Sequence, residues 1–250
     1  MKFENKVIVI TGGVRDIGKA ISLKLAQEGA KLAINYHSDE AQGKETLNEV
    51  LALGGEAILV QGDMTKSADV DNFIQQTTEA FGNKIDVLVN VAGGLVARKT
   101  VEEMDEDFFN LVMSINLTTT FLLTKACAPL MSEGASIVNL SSQAARDGGG
   151  PGASIYATAK GAVTTFTRSM AKELGPKGIR VNALCPGMIS TLFHDTFTND
   201  EARKNVANAT ALKREGRASE VADAVAYLAS DESSFLNGVN VDINGGLAFS

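Results

Sequence analysis

Tyr156 and Lys160 stand four residues apart in "SIYATAKGAV", a stretch patterned as a helix, so their side chains share a face. An ammonium beside a phenol favours the phenolate and draws its pKa from about 10 toward neutrality. A tyrosine tuned in this way serves as a general acid or base. Ser142 closes the strand-like run before it, where its hydroxyl could bond a substrate carbonyl oxygen. A Tyr–Lys pair at this spacing also arises by chance in helices, so other features must decide between chemistry and packing.

A second feature lies near the N-terminus. "TGGVRDIG", Thr11 to Gly18, follows the apolar run "VIVI" and precedes a helical pattern. Glycines at such a turn (Gly12, Gly13 and Gly18) let the backbone approach a pyrophosphate, and the helix beyond offers free N–H groups. A tight turn without a ligand is the plainer alternative. The dinucleotide fingerprint also predicts a carboxylate about 20 residues on, holding the ribose 2′-hydroxyl of NAD. Here the second strand ends in Asn35, Tyr36, His37 and Ser38, and no carboxylate appears until Asp39. With Arg15 in the loop, the pattern suits a 2′-phosphate, hence NADP(H), with NAD(H) as the alternative.

These residues need a scaffold. Short β-branched runs recur at Val7–Ile10, Lys31–Asn35, Ala57–Gln61, Asp86–Asn90, Ser136–Leu140, Ile179–Leu184 and Val239–Ile243. Each is apolar on both faces, as in a strand buried within a parallel sheet. Helical patterns alternate with them. "SADVDNFIQQTTEAF" puts Val70, Phe73, Ile74 and Thr77 on one face, with Ser67 as its N-cap. The run from Ser219 repeats Val221, Val225 and Leu228. The expectation is a doubly wound α/β Rossmann fold, a seven-stranded parallel sheet flanked by helices, as one domain over residues 1–250. The longest irregular region, Pro186 to about Leu212, reads as a lid.

Bulk properties exclude other classes. Formal net charge is −7 and no basic stripe stands out, which argues against nucleic acid. Cys127 and Cys185 lie far apart and form neither a disulfide framework nor a zinc spacing, and no His/Asp/Glu cluster suggests a metal. The apolar run before Thr11 is too short for a signal-peptide core, and no stretch approaches the roughly 18 apolar residues of a membrane span. The expectation is a cytoplasmic protein.

Five ordered motifs carry a resemblance: "TGxxxxIG", "NVAG" after the fourth strand, "IN" at Asn116, "SS…YxxxK" and "PGxIxT". Together they resemble the short-chain dehydrogenase/reductase family over essentially the whole chain, Val7 to Gly246. The resemblance implies that Tyr156 is the catalytic acid/base and Ser142 orients the substrate oxygen. Lys160 would lower the tyrosine pKa and hold the nicotinamide ribose, and Asn116 would anchor a proton-supplying water chain. Gly12, Arg15, Asp16, Ile17 and Gly18 would line the pyrophosphate, and Asn35 to Ser38 the adenosine ribose. Asp63 and Met64 of "GDM" match the adenine-contacting segment. Asn90, Ala92 and Gly93 match the sheet-supporting motif, Asn90 mainly structural. Pro186, Gly187, Ile189 and Thr191 match the segment binding the nicotinamide carboxamide. A homotetramer is also implied, compatible with the apolar face of "AVTTFTRSMAKEL" and the ending "GGLAFS".

The chain departs from the family pattern. Asp16 occupies the place of the middle glycine. Aspartate tolerates the left-handed region and is a strong N-cap, so Asp16 is expected to keep the turn and cap the helix while repelling phosphate, with Arg15 partly offsetting the repulsion. Val91 replaces the commoner second asparagine, and the Ser142–Tyr156 spacing is one residue longer than usual, across "DGGGPG". For the substrate, Arg98, Lys99 and Arg146 are candidates to meet a carboxylate, with Gln143, Met188 and Phe193 beside them. The leading expectation is NADPH-dependent reduction of a small polar carbonyl compound, a sugar or keto sugar acid. The alternatives are a 3-oxoacyl-[acyl-carrier-protein] reductase, disfavoured by the missing basic residues in "PLMSEGAS", and a non-catalytic dinucleotide-binding regulator.

Overall fold

The computed structural model describes residues 1–249; Ser250, which ends "GGLAFS", lies outside them. Seven strands form one parallel sheet: β1 (Val7–Thr11), β2 (Lys31–Tyr36), β3 (Glu56–Gln61), β4 (Val87–Asn90), β5 (Ser136–Leu140), β6 (Arg180–Pro186) and β9 (Asn240–Ile243). Their order is β3-β2-β1-β4-β5-β6-β9, every pair parallel. A further pair, β7 (Ile189–Ser190) and β8 (Gly216–Arg217), makes a separate two-stranded ladder.

The β1 sequence shows why the sheet is buried on both sides. Ile8 and Ile10 join the core with α1 (Asp16–Gln27) and α10 (Ala218–Ala229), while Val9 joins that of α3 (Ser67–Phe81) and α5 (Thr119–Cys127) on the opposite face. The inner strands β1, β4, β5 and β6 are buried throughout. The edge strands β3 and β9 are not: most of their residues stay partly open, against the expectation of uniform burial. In α3 the expected face is the buried one, Val70, Phe73, Ile74 and Thr77. Ser67, however, is the helix's first residue and Lys66 occupies the cap, so the expected hydroxyl cap is absent.

Between β4 and β5 runs a continuous helix in three parts: α4 (Glu106–Met113), a π turn at Ser114–Thr118, and α5. Taken as Glu106–Leu130, it is the one helix among the described residues long and apolar enough by composition to cross a membrane, a stretch the sequence reading did not anticipate. It packs on α3 and on α7 (Ser154–Leu174), which follows the short α6 (Ala144–Asp147), and its inner side carries buried Asn116, Thr119, Thr120 and Thr124. Pro186 to Leu212 is likewise more regular than expected. It holds β7, α8 (Leu192–Phe197) and α9 (Asp200–Ala209), the last capped by the Asn199 side chain on Ala202 N.

The strand order reverses between β1 and β4, and this opens a crevice at the carboxyl ends of the strands. Thr11 Oγ1 braces the crevice by accepting bonds from Val91 N and Ala92 N, both at 3.1 Å. Thr11→Val keeps the shape and leaves both donors without that acceptor. Urea titration should show it destabilised by about 1–3 kcal/mol; an unchanged midpoint and slope would mean that solvent satisfies both groups.

Candidate active site

A cleft of about 1470 Å³ occupies this crevice. One half is built largely from main chain. The loop after β1 supplies Gly12, Arg15, Asp16, Ile17 and Gly18; the end of β2 and its loop supply Asn35, Tyr36, His37 and Ser38; Asp63, Met64, Ala92 and Gly93 complete the wall. A Cβ on Gly18 would stand 2.0 Å from Gly12 O, so only glycine lets α1 start this close to the loop. The Arg15 cap position makes no side-chain bond to α1, leaving that helix's first N–H groups open. Open amides at a helix start, behind glycines, suit a pyrophosphate. The donor set therefore fits a dinucleotide.

Several residues in this half act differently from expectation. Asn35 is buried; its amide donates to Gly62 O at 3.0 Å and Tyr36 O at 3.1 Å, so it braces the loop. Asp39 caps α2 (Glu40–Ala52) by accepting from Gln42 N. Burial opposes ionisation of Asp63, but bonds from the Thr65 hydroxyl and N–H outweigh it and hold the carboxyl below its ordinary value. Lys66, which sequence reading passed over, lines the cleft beside them.

Asp16 lines the cleft at the start of α1. It adopts the left-handed region, φ +49°, as expected. It does not cap α1. It is that helix's first residue, and its Oδ1 accepts a hydrogen bond from Leu192 N at 3.0 Å, at the start of α8.

At the other end of the cleft, β5 and α7 bring Ser142, Tyr156 and Lys160 to the wall. Two contacts fix α7 on the sheet: Asn139 Nδ2 donates to Thr167 Oγ1 (2.9 Å), and Ser141 Oγ donates to Lys160 O (2.9 Å). Asn90 Nδ2 extends the chain to Asn139 Oδ1 (2.8 Å), a buried bond behind the wall. Lys160 is buried, and its Nζ donates to Leu140 O at 2.8 Å. Asn116 does not reach the wall. The π turn sets it underneath, where Oδ1 accepts from Gly94 N (3.0 Å) and Nδ2 donates to Gly94 O (2.8 Å) and Val112 O (2.9 Å). A Cβ on Gly93 would lie 2.6 Å from Asn116 Oδ1 and 3.0 Å from Lys160 Nζ, so both groups abut this glycine.

The electrostatics differ from the simple Tyr–Lys picture. Burial raises the Tyr156 pKa, and the Ser142 hydroxyl is the group acting to lower it. Burial lowers Lys160 to about 8, and its ammonium lies 5.9 Å from the tyrosine ring centroid. The expected depression of the phenol by this lysine is therefore not what governs the site as it stands.

Of the substrate candidates, Arg98, Gln143, Met188 and Phe193 line the cleft, as do Pro186, Gly187, Ile189 and Thr191. Lys99 and Arg146 are not on its wall. Lys99 lies over the Phe108 ring, 4.5 Å from the centroid. Arg146 pairs with Asp242 (3.1 Å) and donates to Asn240 O (2.8 Å) on β9. Arg98 spends two donors on main-chain carbonyls, Nε to Phe197 O (2.9 Å) and Nη1 to Pro151 O (2.8 Å). Sequence reading missed Leu95, Ile115, His194 and Phe197, which also line this half. The aromatic run around "LFHDTF" was the available signal. Phe193 packs on Tyr156 (ring centroids 6.0 Å apart) and on Phe197 (5.2 Å).

A Rossmann sheet with a dinucleotide cradle and a Ser–Tyr–Lys wall defines a nicotinamide-dependent oxidoreductase. Comparison with known proteins agrees. Residues 12–248 match the family described as enoyl-(acyl carrier protein) reductase. The chain is 37% identical to a 3-oxoacyl-[acyl-carrier-protein] reductase of a Synechocystis species, with 97% of this chain and 96% of that one covered. Among solved structures, a short-chain dehydrogenase/reductase from Serratia marcescens superposes with a TM-score of 0.94 at 30% identity, both chains covered completely. A Burkholderia cenocepacia short-chain dehydrogenase in complex with NADP gives 0.92 at 31%, with 99% of each chain covered. An NADH-dependent reductase A1-R′ responsible for alginate metabolism gives 0.90 at 31%, again with 99% of each covered. The chain belongs to the short-chain dehydrogenase/reductase family and is an oxidoreductase of that type.

Proposed function

We propose that the protein interconverts a carbonyl and an alcohol on a small, neutral, hydroxylated compound, such as a sugar-derived ketone or aldehyde, with NADP(H) as the preferred cofactor. The observation that carries this reading is the meeting of Ser142 and Tyr156 on the cleft wall with Lys160 buried behind them. When bound, the dinucleotide supplies or accepts the hydride. Ser142 orients the carbonyl oxygen and Tyr156 gives it a proton. Lys160, against Gly93, holds and resupplies that proton, and Asn116 beneath the same glycine anchors the path that delivers it.

The keto sugar acid reading loses ground, because it needed a cation for the carboxylate. Lys99 and Arg146 are off the wall, and Arg98 has two donors engaged. Phe193 offers an apolar face and His194 a polar edge, which suits a neutral polyol, while the buried Gln143 amide is engaged by Asp147 and Asn244. The cofactor preference rests on exposed Arg15, whose side chain makes no hydrogen bond or ion pair among the described residues, and on exposed His37 and Ser38 in place of a carboxylate. A second reading, a 3-oxoacyl thioester reductase, is favoured by the name of the 37% identical relative. The "PLMSEGAS" segment leads into the opposite end of β5 from Ser142, so within one chain its lack of basic residues weighs little against this reading.

The test is a set of initial rates with NADPH and NADH over neutral keto sugars, a keto sugar acid and a short 3-oxoacyl thioester. Neutral sugars with NADPH should turn over fastest, and Tyr156→Phe should cut the rate by roughly 100- to 10,000-fold. Faster thioester turnover would give the second reading first place. A preference for the keto acid would return Arg98 to substrate binding.

The pH dependence follows from the pKa shifts. A raised Tyr156 keeps its proton through neutral pH, while Lys160 loses its charge as pH rises through about 8. kcat/KM for reduction, which reports the free enzyme, should be level below pH ~7 and fall across pH ~8. A profile flat from about pH 6 to 10 would count against Lys160 titrating there.

Family members are commonly oligomeric, and we infer a homotetramer. Exposed Phe109 and Phe121 on the outer side of α4 and α5, with Phe166 edge-on to Phe121, form an apolar patch that a second copy would cover. Light scattering on the eluting protein should give four times 26.3 kDa; a monomer would overturn this.

A further inference from the structure

The lid helix α8 has only six residues, too few to be stable alone in water. Its cap residue, Thr191, turns its hydroxyl onto Ile189 O (3.0 Å) and so does not cap it. The Leu192 N–H instead meets Asp16 Oδ1, 176 residues away in sequence. At the other end, the Phe197 carbonyl accepts from Arg98 Nε, and the same guanidinium holds Pro151 O. A carboxylate at the start of a helix and a guanidinium at its end are the signs that its dipole favours. Both come from outside the lid, one from the glycine-rich loop and one from the connection after β4. Within the lid, Arg203 joins α8 to the segment before β8 through Asp195 and Glu215.

Asp16 holds a left-handed backbone that glycine would adopt without strain. Glycine would bring no acceptor for Leu192. The carboxylate therefore serves a purpose that the turn alone does not require.

Resting on the reductase reading above, we propose that Asp16 and Arg98 are positioning residues that clamp α8 across the cleft and keep Phe193 packed on Tyr156. The clamp ties the cofactor loop to the roof of the substrate site. Cutting it leaves Ser142, Tyr156 and Lys160 in place, because their supports run between β5 with the residue after it and α7. The loss therefore falls on substrate binding more than on the chemical step.

The test begins with hydrogen–deuterium exchange of the full-length protein without ligands, read over residues 192–198. Asp16→Gly and Arg98→Ala should each speed exchange there by about tenfold or more, since local opening sets the rate. Asp16→Asn keeps an oxygen acceptor and should stay within about threefold of the parent. Asp16→Gly relieves a strained residue, so it is the variant least exposed to misfolding. Parental exchange in both Asp16→Gly and Arg98→Ala would overturn the proposal, as would Asp16→Asn exchanging as fast as Asp16→Gly. In turnover, Arg98→Ala should raise the KM of the carbonyl substrate about tenfold while kcat stays within about threefold. A lost kcat at unchanged KM would overturn it. A failed reductase reading shows separately, as a parent enzyme without turnover, and leaves the exchange result standing.

Discussion

The ammonium of Lys160 is buried at the floor of the cleft, and a buried charge is costly unless its donors are met. Much of the surrounding architecture answers that demand. Leu140 must end β5 with its carbonyl turned inward, and Ser141 must hold the main chain of α7 at Lys160 itself. β4 must run into a residue without a side chain, because a Cβ at Gly93 would strike Asn116 and crowd the ammonium. The helix between β4 and β5 must break its regular spacing at Ser114–Thr118 to bring Asn116 beneath that glycine. The same burial that makes the lysine expensive lowers it to about 8, where a proton can be held and released near neutral pH.

The two halves of the cleft are made differently. The dinucleotide half relies on glycines, strand ends and open helix amides, which any cofactor of that shape can use. The other half relies on side chains that converge from several separate segments, and Arg98 there has two donors engaged on main-chain carbonyls. The family's reaction class is thus legible from the first half and its neighbouring Ser–Tyr–Lys wall, while Phe193 and His194 line the part of the cleft where we place the substrate.

How much was legible follows the same division. The sheet was readable because each strand's apolar run is local, and the buried face of α3 was readable from its period. Tyr156 and Lys160 were readable as a pair because one helix spaces them. Their electrostatics were not, since these depend on burial, which no local pattern reports. Arg98, Lys99 and Arg146 looked equivalent in sequence and were separated by Phe197, Phe108 and Asp242, partners far along the chain or on another face. Asp16 is the sharpest case. Its backbone was predictable from residue type, but its partner lay 176 positions away. The helices between Leu192 and Ala209 are too short for periodicity to mark, although Asn199 ahead of "DEARKN" has the form of a helix start.

The packing of α1 against α10 has a consequence for biosynthesis. The first helix of the chain and one of the last share a core with Ile8, Ile10 and Leu184 of the sheet. All the sheet's pairings are parallel, so none can form as a simple hairpin and each must close a long loop. On the ribosome, α1 can meet β1, β2 and α2 early, but the part of its core that α10 supplies stays uncovered until translation has passed Ala229.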